Sequence, residues 1–344
     1  MATPVFRWGL VGPGRIAHRF AEAAQRLPSC ALVAVSGRDG TRAAAFAERW
    51  TVTGRPAVAV AASLPELLRR GDLDAVYVAT PHAFHGEAVS ACLDAGVPVL
   101  CEKPLVPSAA QLRPLLARAR ERGVFLMEAL WTRFLPVYDE VARWLQQGAV
   151  GEVRAVQSSF AFVLPRQPQD RCLDPVQAGG ALLDIGIYNL ALTRWVLEQS
   201  LGRCPALRSV QAEAVLTAGG VDQRLAAQLH FEGGASAQMF CAFDTRADNG
   251  LRILGERGHI VLPAVFWQAT RAELHRADAA VETVERPFEI NGFEGEITEA
   301  MRCVRAGQVE SARMPHAESL ALVETMDRMR RQVGVRYPFE QGGA

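Results

Sequence analysis

Val5-Phe6-Arg7-Trp8-Gly9-Leu10-Val11-Gly12-Pro13-Gly14-Arg15-Ile16-Ala17 decides how the rest of the chain is read. A short apolar run meets two glycines, and an alanine-rich stretch with helical spacing follows to about Arg26. That order predicts strand, tight turn and helix. The same unit recurs at 31–36 with 41–50, at 75–79 with 85–95, and at 97–101 with 109–122. Ser63-x-x-Glu66 and Ser108-x-x-Gln111 fit capping boxes, Gly96 and Gly123 fit helix stops, and 124–128 supplies a closing strand. Repeated β-α units predict a doubly wound parallel sheet of α/β class, covered on both faces.

Beyond residue 128 the pattern changes. A helix rich in aromatics at 135–147 leads through Gly148 and Gly151 to a strand at 153–162, a polar loop at 164–177 and a helical segment from Ala178. Alternating runs at 208–217, 222–231 and 235–243 are joined by Ala218-Gly219-Gly220 and Glu232-Gly233-Gly234, as in hairpins. A final helix covers 316–333. We expect two domains, 1–128 and 129–344, the second an α+β domain with a large open, mainly antiparallel sheet and with the C-terminal helix free to pack back on the first. The runs at 208–243 bring too few helices to cover such a sheet, so a homodimer or a dimer of dimers through its open face is expected.

The chain has 344 residues, more than one ordinary domain needs, and its 37 basic residues balance 37 acidic ones. A net charge of zero argues against nucleic acid or an anionic membrane as partner. Without an apolar stretch of roughly 18 residues or a basic-apolar leader, the expected location is cytoplasmic. Seven cysteines, an odd number with no C-x-x-C pair, indicate neither a disulfide framework nor a zinc centre. Small molecules or other proteins are the expected partners. Within the basic residues lies a sharper signal: 36 are arginine and one, Lys103, is lysine.

Gly12, Gly14, Arg15 and Ile16 belong to a G-x-G-x-x-A sequence placed between a strand and a helix, where glycines admit a pyrophosphate to the helix N-terminus. The second strand ends at Ser36-Gly37-Arg38. A hydroxyl and a guanidinium there favour the 2′-phosphate of NADP, with NAD as the alternative if Asp39 presents its carboxylate instead. Thr80, Pro81, His82 and His85 form the turn after the 75–79 strand, at the carboxyl edge where such sheets bind ligands. Two histidines without a third ligand make this a cofactor turn, and no metal is expected. Glu102-Lys103-Pro104 ends the next strand. Arginine would have served for an ion pair, whereas a lysine offers a compact, tunable ammonium suited to hold a hydroxyl and ease proton transfer. Asp184 and Tyr188 stand four residues apart, on one face of the expected helix, and Gly179-Gly180 at its start would let the helix end approach a ligand closely. A phenol acting as acid or base needs its ordinary value of about 10 lowered, and a neighbouring ammonium does that.

Together these segments, with Gly148–Gly151, Glu310-Ser311 and Met314-Pro315-His316-Ala317-Glu318-Ser319-Leu320, resemble the Gfo/Idh/MocA family of NAD(P)-dependent oxidoreductases over nearly the whole chain. Glu128-Ala129-Leu130-Trp131-Thr132-Arg133-Phe134 and a tyrosine rather than histidine at 188 resemble the dihydrodiol and NADP-dependent D-xylose dehydrogenase branch more than inositol dehydrogenases. The resemblance implies a Rossmann-type first domain and hydride transfer at a secondary or hemiacetal hydroxyl of a carbohydrate or diol. It further implies Lys103 and Tyr188 as the catalytic pair, Asp184 on the substrate side, and Trp131, Arg133 and Phe160 lining the nicotinamide and substrate pocket. A catalytically silent NAD(P)-binding sensor or regulator of the same fold is the alternative, and a structural protein that binds no nucleotide is another.

Overall fold

The computed structural model describes residues 4–165 and 170–340. Residues 166–169, within the loop expected at 164–177, lie outside it. By compactness the chain forms two units, one comprising the chain up to Trp131 with Glu289–Ala321, the other Thr132–Phe288 with the chain from Leu322 onward.

In the first unit β1 (Phe6–Val11), α1 (Arg15–Arg26), β2 (Cys30–Ser36), α2 (Gly40–Trp50), β3 (Ala59–Ala61), α3 (Leu64–Leu68), β4 (Ala75–Val78), α4 (His85–Asp94), β5 (Val99–Glu102), α5 (Ala109–Arg122) and β6 (Leu126–Ala129) alternate. Their strands pair in parallel in the order β3-β2-β1-β4-β5-β6. Every residue of β2 and β4 is buried, as a sheet covered on both faces demands. Ser63 and Ser108 cap α3 and α5 through the Glu66 and Gln111 amides, and Gly123, at φ +64°, ends α5 in a left-handed cap. The order reverses beside β1, so the turns after β1 and β4 flank the switch point at the carboxyl edge.

The second unit holds α6 (Pro136–Gln146), β7 (Val153–Ala161), α7 (Ile187–Leu201), β8 (Leu207–Leu216), β9 (Asp222–Phe231), β10 (Ser236–Ala242), β11 (Leu251–Gly255), β12 (Gly258–Leu262), β13 (Arg271–Arg276) and β14 (Glu282–Glu285). Eight strands run in the order β14-β13-β12-β11-β7-β10-β9-β8, antiparallel except for the β7–β10 pair. On one face Asn189 of α7 donates to Ser158 of β7 at 2.9 Å, and Trp144 of α6 to Glu282 of β14 at 2.9 Å. On the other, Gln157, Gln238, Gln228 and Gln211 are successive cross-strand partners in one polar row.

By compactness the first unit runs to Trp131 and takes back Glu289–Ala321: α8 (Glu294–Arg305) belongs to it, packs on α1, and Arg19 donates to the Asn291 carbonyl at 2.6 Å. The final helix, α9 (His316–Val333), contributes only its first six residues to that unit; there His316 meets the Leu126 carbonyl at 2.9 Å and Ser319 donates to Glu128 at 2.6 Å. The helical segment expected from Ala178 begins instead with a five-residue π-turn, Leu182–Gly186, that runs into α7. Its wider hydrogen bonding moves Asp184 off the strict i,i+4 line with Tyr188.

Candidate active site

The Gly12 turn is held by the chain itself. Its φ is +88°, and a Cβ there would lie 2.7 Å from the Ala79 carbonyl oxygen and 2.8 Å from the Thr80 nitrogen, so only glycine fits beside β4. Gly14 differs. It is the N-cap of α1 at an ordinary φ of −93°, and a Cβ would meet nothing nearer than the Gly12 carbonyl at 4.0 Å. Neither strain nor packing within the chain explains glycine here, and clearance above the α1 amides does. The first turn of α1 carries no acidic residue, and the buried Thr80 hydroxyl, on the neighbouring turn, lacks a hydrogen-bond partner. Open space, free amides and an orphaned donor fit a dinucleotide phosphate. Arg15 is exposed and Ile16 half-buried at the same helix start.

Ser36 is buried at the end of β2, and Arg38 is exposed with its guanidinium 4.9 Å from the Phe84 ring centre. Asp39 is already engaged, capping α2 by accepting from the Arg42 amide at 3.0 Å. The Arg38 guanidinium is the other charged group of this loop, exposed past the end of β2.

Around Lys103 the backbone is fixed from three sides. The Lys103 amide donates to Glu102 at 3.2 Å, and Glu102 also accepts from the Tyr77 hydroxyl. His85, fully buried, sets Nδ1 2.9 Å from the Pro104 carbonyl and Nε2 2.7 Å from the Thr80 carbonyl, tying the Thr80-Pro81 turn to the Glu102-Lys103-Pro104 strand end. Glu128 accepts from the Leu105 amide at 2.9 Å. The Lys103–Pro104 peptide is cis, and the Lys103 side chain is half-buried. His82 is buried with its ring 5.8 Å from that of His85, and among the described residues no cluster of three or more potential ligands could hold a metal. Behind the strand end Glu296 of α8 is fully buried with neither carboxyl oxygen hydrogen-bonded; burial first, then the Glu102 charge, push its pKa well above the usual carboxylate range.

In the second unit Asp184 is buried, accepts from Arg171 at 3.3 Å, and has the Cys172 thiol 3.6 Å away. Burial, aided by the Asp184 charge, pushes that thiol up to about 12, so it remains a donor. Tyr188 is 7% exposed, and its ring lies 5.8 Å from that of Phe160, which stacks on Trp267. Asp184, Tyr188 and Phe160 thus share one unit and one face of the sheet. Trp131 and Arg133 have other neighbours. Trp131 packs on Phe293 at 5.1 Å beneath the Arg19 guanidinium, in the first unit; Arg133, 3% exposed, pairs with Glu198 of α7 at 2.7 Å. Ring packing for Trp131 and, for Arg133, an ion pair with a half-buried carboxylate are among their contacts. Gly179 and Gly180 were expected to admit a ligand, yet the close approach is internal: a Cβ on Gly179 would lie 2.7 Å from the Cys172 carbonyl oxygen, and one on Gly180 would overlap the Asp222 carboxylate.

Sequence reading missed Tyr77, Glu128, Arg171, Asp222 and Glu296. Only Glu128 carried a signal, standing within the aromatic stretch already noted; the others come from elements far apart in sequence.

A 3-2-1-4-5-6 parallel sheet with a phosphate-ready turn, joined to a mainly antiparallel sheet bearing an Asp-Tyr helix start, defines a two-domain nucleotide-dependent oxidoreductase. Comparison with known proteins agrees: residues 6–130 match the oxidoreductase family with NAD-binding Rossmann fold, and 138–261 match the GFO/IDH/MocA C-terminal domain, so the chain belongs to the Gfo/Idh/MocA family. It is 36% identical to the trans-1,2-dihydrobenzene-1,2-diol dehydrogenase of Danio rerio over 338 residues, covering 96% of this chain and 98% of that one. The human protein of that name is 33% identical over 342 residues, covering 97% and 99%. Among solved structures, a 3-ketoreductase from Actinomadura kijaniata in complex with NADP and TDP-benzene superposes with a TM-score of 0.82 at 29% identity, covering 96% and 98%. No helix among the described residues is long and apolar enough to cross a membrane.

Proposed function

We propose that this chain is an NADP-preferring dehydrogenase or reductase acting on a secondary or hemiacetal hydroxyl of a sugar or diol, with Tyr188 as acid/base and Lys103 assisting. The sole lysine at a strand end whose backbone is pinned by Glu102, His85 and Glu128 carries this reading. A salt bridge would not call for lysine among 36 arginines. The names of the diol dehydrogenases and of the NADP-bound ketoreductase support the reaction class and cofactor. The dinucleotide, when bound, supplies the hydride acceptor or donor. Gly14 and the α1 amides hold its pyrophosphate and Arg38 its 2′-phosphate. In the oxidative direction Tyr188 removes the hydroxyl proton as the C–H bond gives up its hydride, and carbonyl formation completes the balance. Lys103 stabilises the phenolate, and Asp184, braced by Arg171, bonds the substrate. NAD remains the second cofactor. The chain works as a homodimer or a dimer of dimers joined through the glutamine row, since amides both donate and accept and so complement themselves across a two-fold axis. Titration with NADPH and NADH, followed by a screen of aldoses, inositols and aromatic diols with both cofactors, tests the proposal; absence of nucleotide binding, or of turnover on every class, overturns it.

A further inference from the structure

Asp222 is the first residue of β9 and fully buried, and it has no part in the reaction proposed above. One carboxylate oxygen accepts from the Leu182 amide at 2.6 Å, at the start of the π-turn that carries Asp184. The other lies against Gly180, whose φ of +119° and missing Cβ make room for it. Next to this contact the Tyr337 hydroxyl donates to the Gly179 carbonyl at 2.7 Å, under the Arg330 guanidinium, which itself binds Asp327 and Glu340. Below the turn, Gly186 presses on β10, where a Cβ would meet the Cys241 sulfur at 2.9 Å. The groups facing Asp222 are therefore the Leu182 amide from the turn, Arg330 from α9, Tyr337 from the C-terminal segment and Cys241 from β10.

A helix start can be capped by serine, threonine or asparagine without burying a charge. Here a buried carboxylate is used, and burial lifts its pKa to about 7 even though the Leu182 and Ala181 amides and Arg330 favour its charged form. A fully buried carboxyl with one oxygen on the Leu182 amide and the other without a hydrogen-bond partner, on a turn of irregular hydrogen bonding, is the pattern of a group kept for what it aims. We propose that Asp222 is a positioning residue: clamped on the Leu182 amide, it fixes the Leu182–Gly186 π-turn and with it the bearing of Asp184 and Tyr188. This rests on the assignment of Tyr188 as acid/base.

The test uses the full chain with Asp222→Asn, and Asp222→Ser as a smaller uncharged cap. The chain has four tyrosines, so ¹³Cζ-labelled tyrosine gives four resonances, and Tyr188 is assigned by its loss in Tyr188→Phe. In a folded Asp222 variant we expect the Tyr188 resonance to move while that of Tyr138 stays. With any diol or aldose that the wild type turns over, kcat falls about tenfold while KM for NADP stays within about twofold, and in the Tyr188→Phe background the Asp222 substitution adds no further loss. An unmoved Tyr188 resonance overturns the proposal, as does equal loss in both backgrounds or failure of both variants to fold, which would make Asp222 a prop of the fold. If Tyr188→Phe keeps full activity, the acid/base assignment fails, and the resonance still decides whether Asp222 positions the turn.

Discussion

Gly12 and Gly14 belong to one short motif, yet their surroundings predict opposite consequences of the same substitution. In Gly12→Ala the new methyl would press on the Ala79 carbonyl at 2.7 Å with φ at +88°. Strain of about 1–3 kcal/mol and overpacking of about 1–3 kcal/mol sum to a loss of about 2–6 kcal/mol, lowering the unfolding midpoint by roughly 5–15 °C. In Gly14→Ala φ is ordinary and the methyl meets no protein atom within 4.0 Å, other than the Gly12 carbonyl at that limit. Alanine caps a helix worse than glycine by a few tenths to about 1 kcal/mol, and the stiffer unfolded chain returns about 0.4–1 kcal/mol, so stability changes little. The methyl would instead stand where the proposed function seats a pyrophosphate on the α1 amides. Loss of one charge-assisted hydrogen bond, about 1.5–3 kcal/mol, weakens NADPH binding about 10- to 100-fold. Thermal unfolding without nucleotide, with fluorescence titration by NADPH, reads both quantities on both variants. Wild-type NADPH affinity in a folded Gly14→Ala protein would refute the reasoning.

Lys103→Arg, conservative in charge, is expected to be nearly inactive in steady-state assay, and wild-type turnover would remove the sole lysine from the mechanism. Arg38→Ala should weaken NADPH at least about tenfold while leaving NADH within about twofold, since Asp39 is committed to capping α2; equal loss for both cofactors would contradict that placement. Glu296 has a folded pKa raised above its unfolded value, so wild-type stability falls as pH rises from the ordinary glutamate range toward that raised value. Glu296→Gln removes the penalty, so its unfolding midpoint should gain on wild type between pH 5 and pH 8, roughly the range above the ordinary glutamate value; a constant difference across that range would show that the carboxyl is not held neutral.

Much of the fold was legible because its signals are local. The strand–Gly turn–helix at Phe6–Val11 and Arg15–Arg26, the Ser63 and Ser108 caps and the Gly123 stop each depend on a few adjacent residues. The strands β13 and β14 were not read, because half the residues of Arg271–Arg276 and Glu282–Glu285 are charged, and β14 buries no residue. The return of α8 to the first unit was not legible either, since its cause lies in contacts such as Arg19 with Asn291, 272 residues apart in sequence. The site divides the same way. Motifs located Gly12, Lys103, Asp184 and Tyr188, whereas the groups that hold them, Tyr77, Arg171 and Asp222, arrive through tertiary folding from elements without a motif. The glycines at 179 and 180 show how a correct position can carry a different cause: their missing side chains admit the Cys172 backbone and the Asp222 carboxylate.

The central claim, that Tyr188 transfers the proton while the first unit holds the dinucleotide, is tested most directly by measuring kcat and the NADPH dissociation constant of Tyr188→Phe side by side with wild type. The account predicts a fall in kcat of about two to four orders of magnitude with NADPH affinity within about twofold of normal. Unchanged kcat, or a loss explained entirely by weaker NADPH binding, would contradict it.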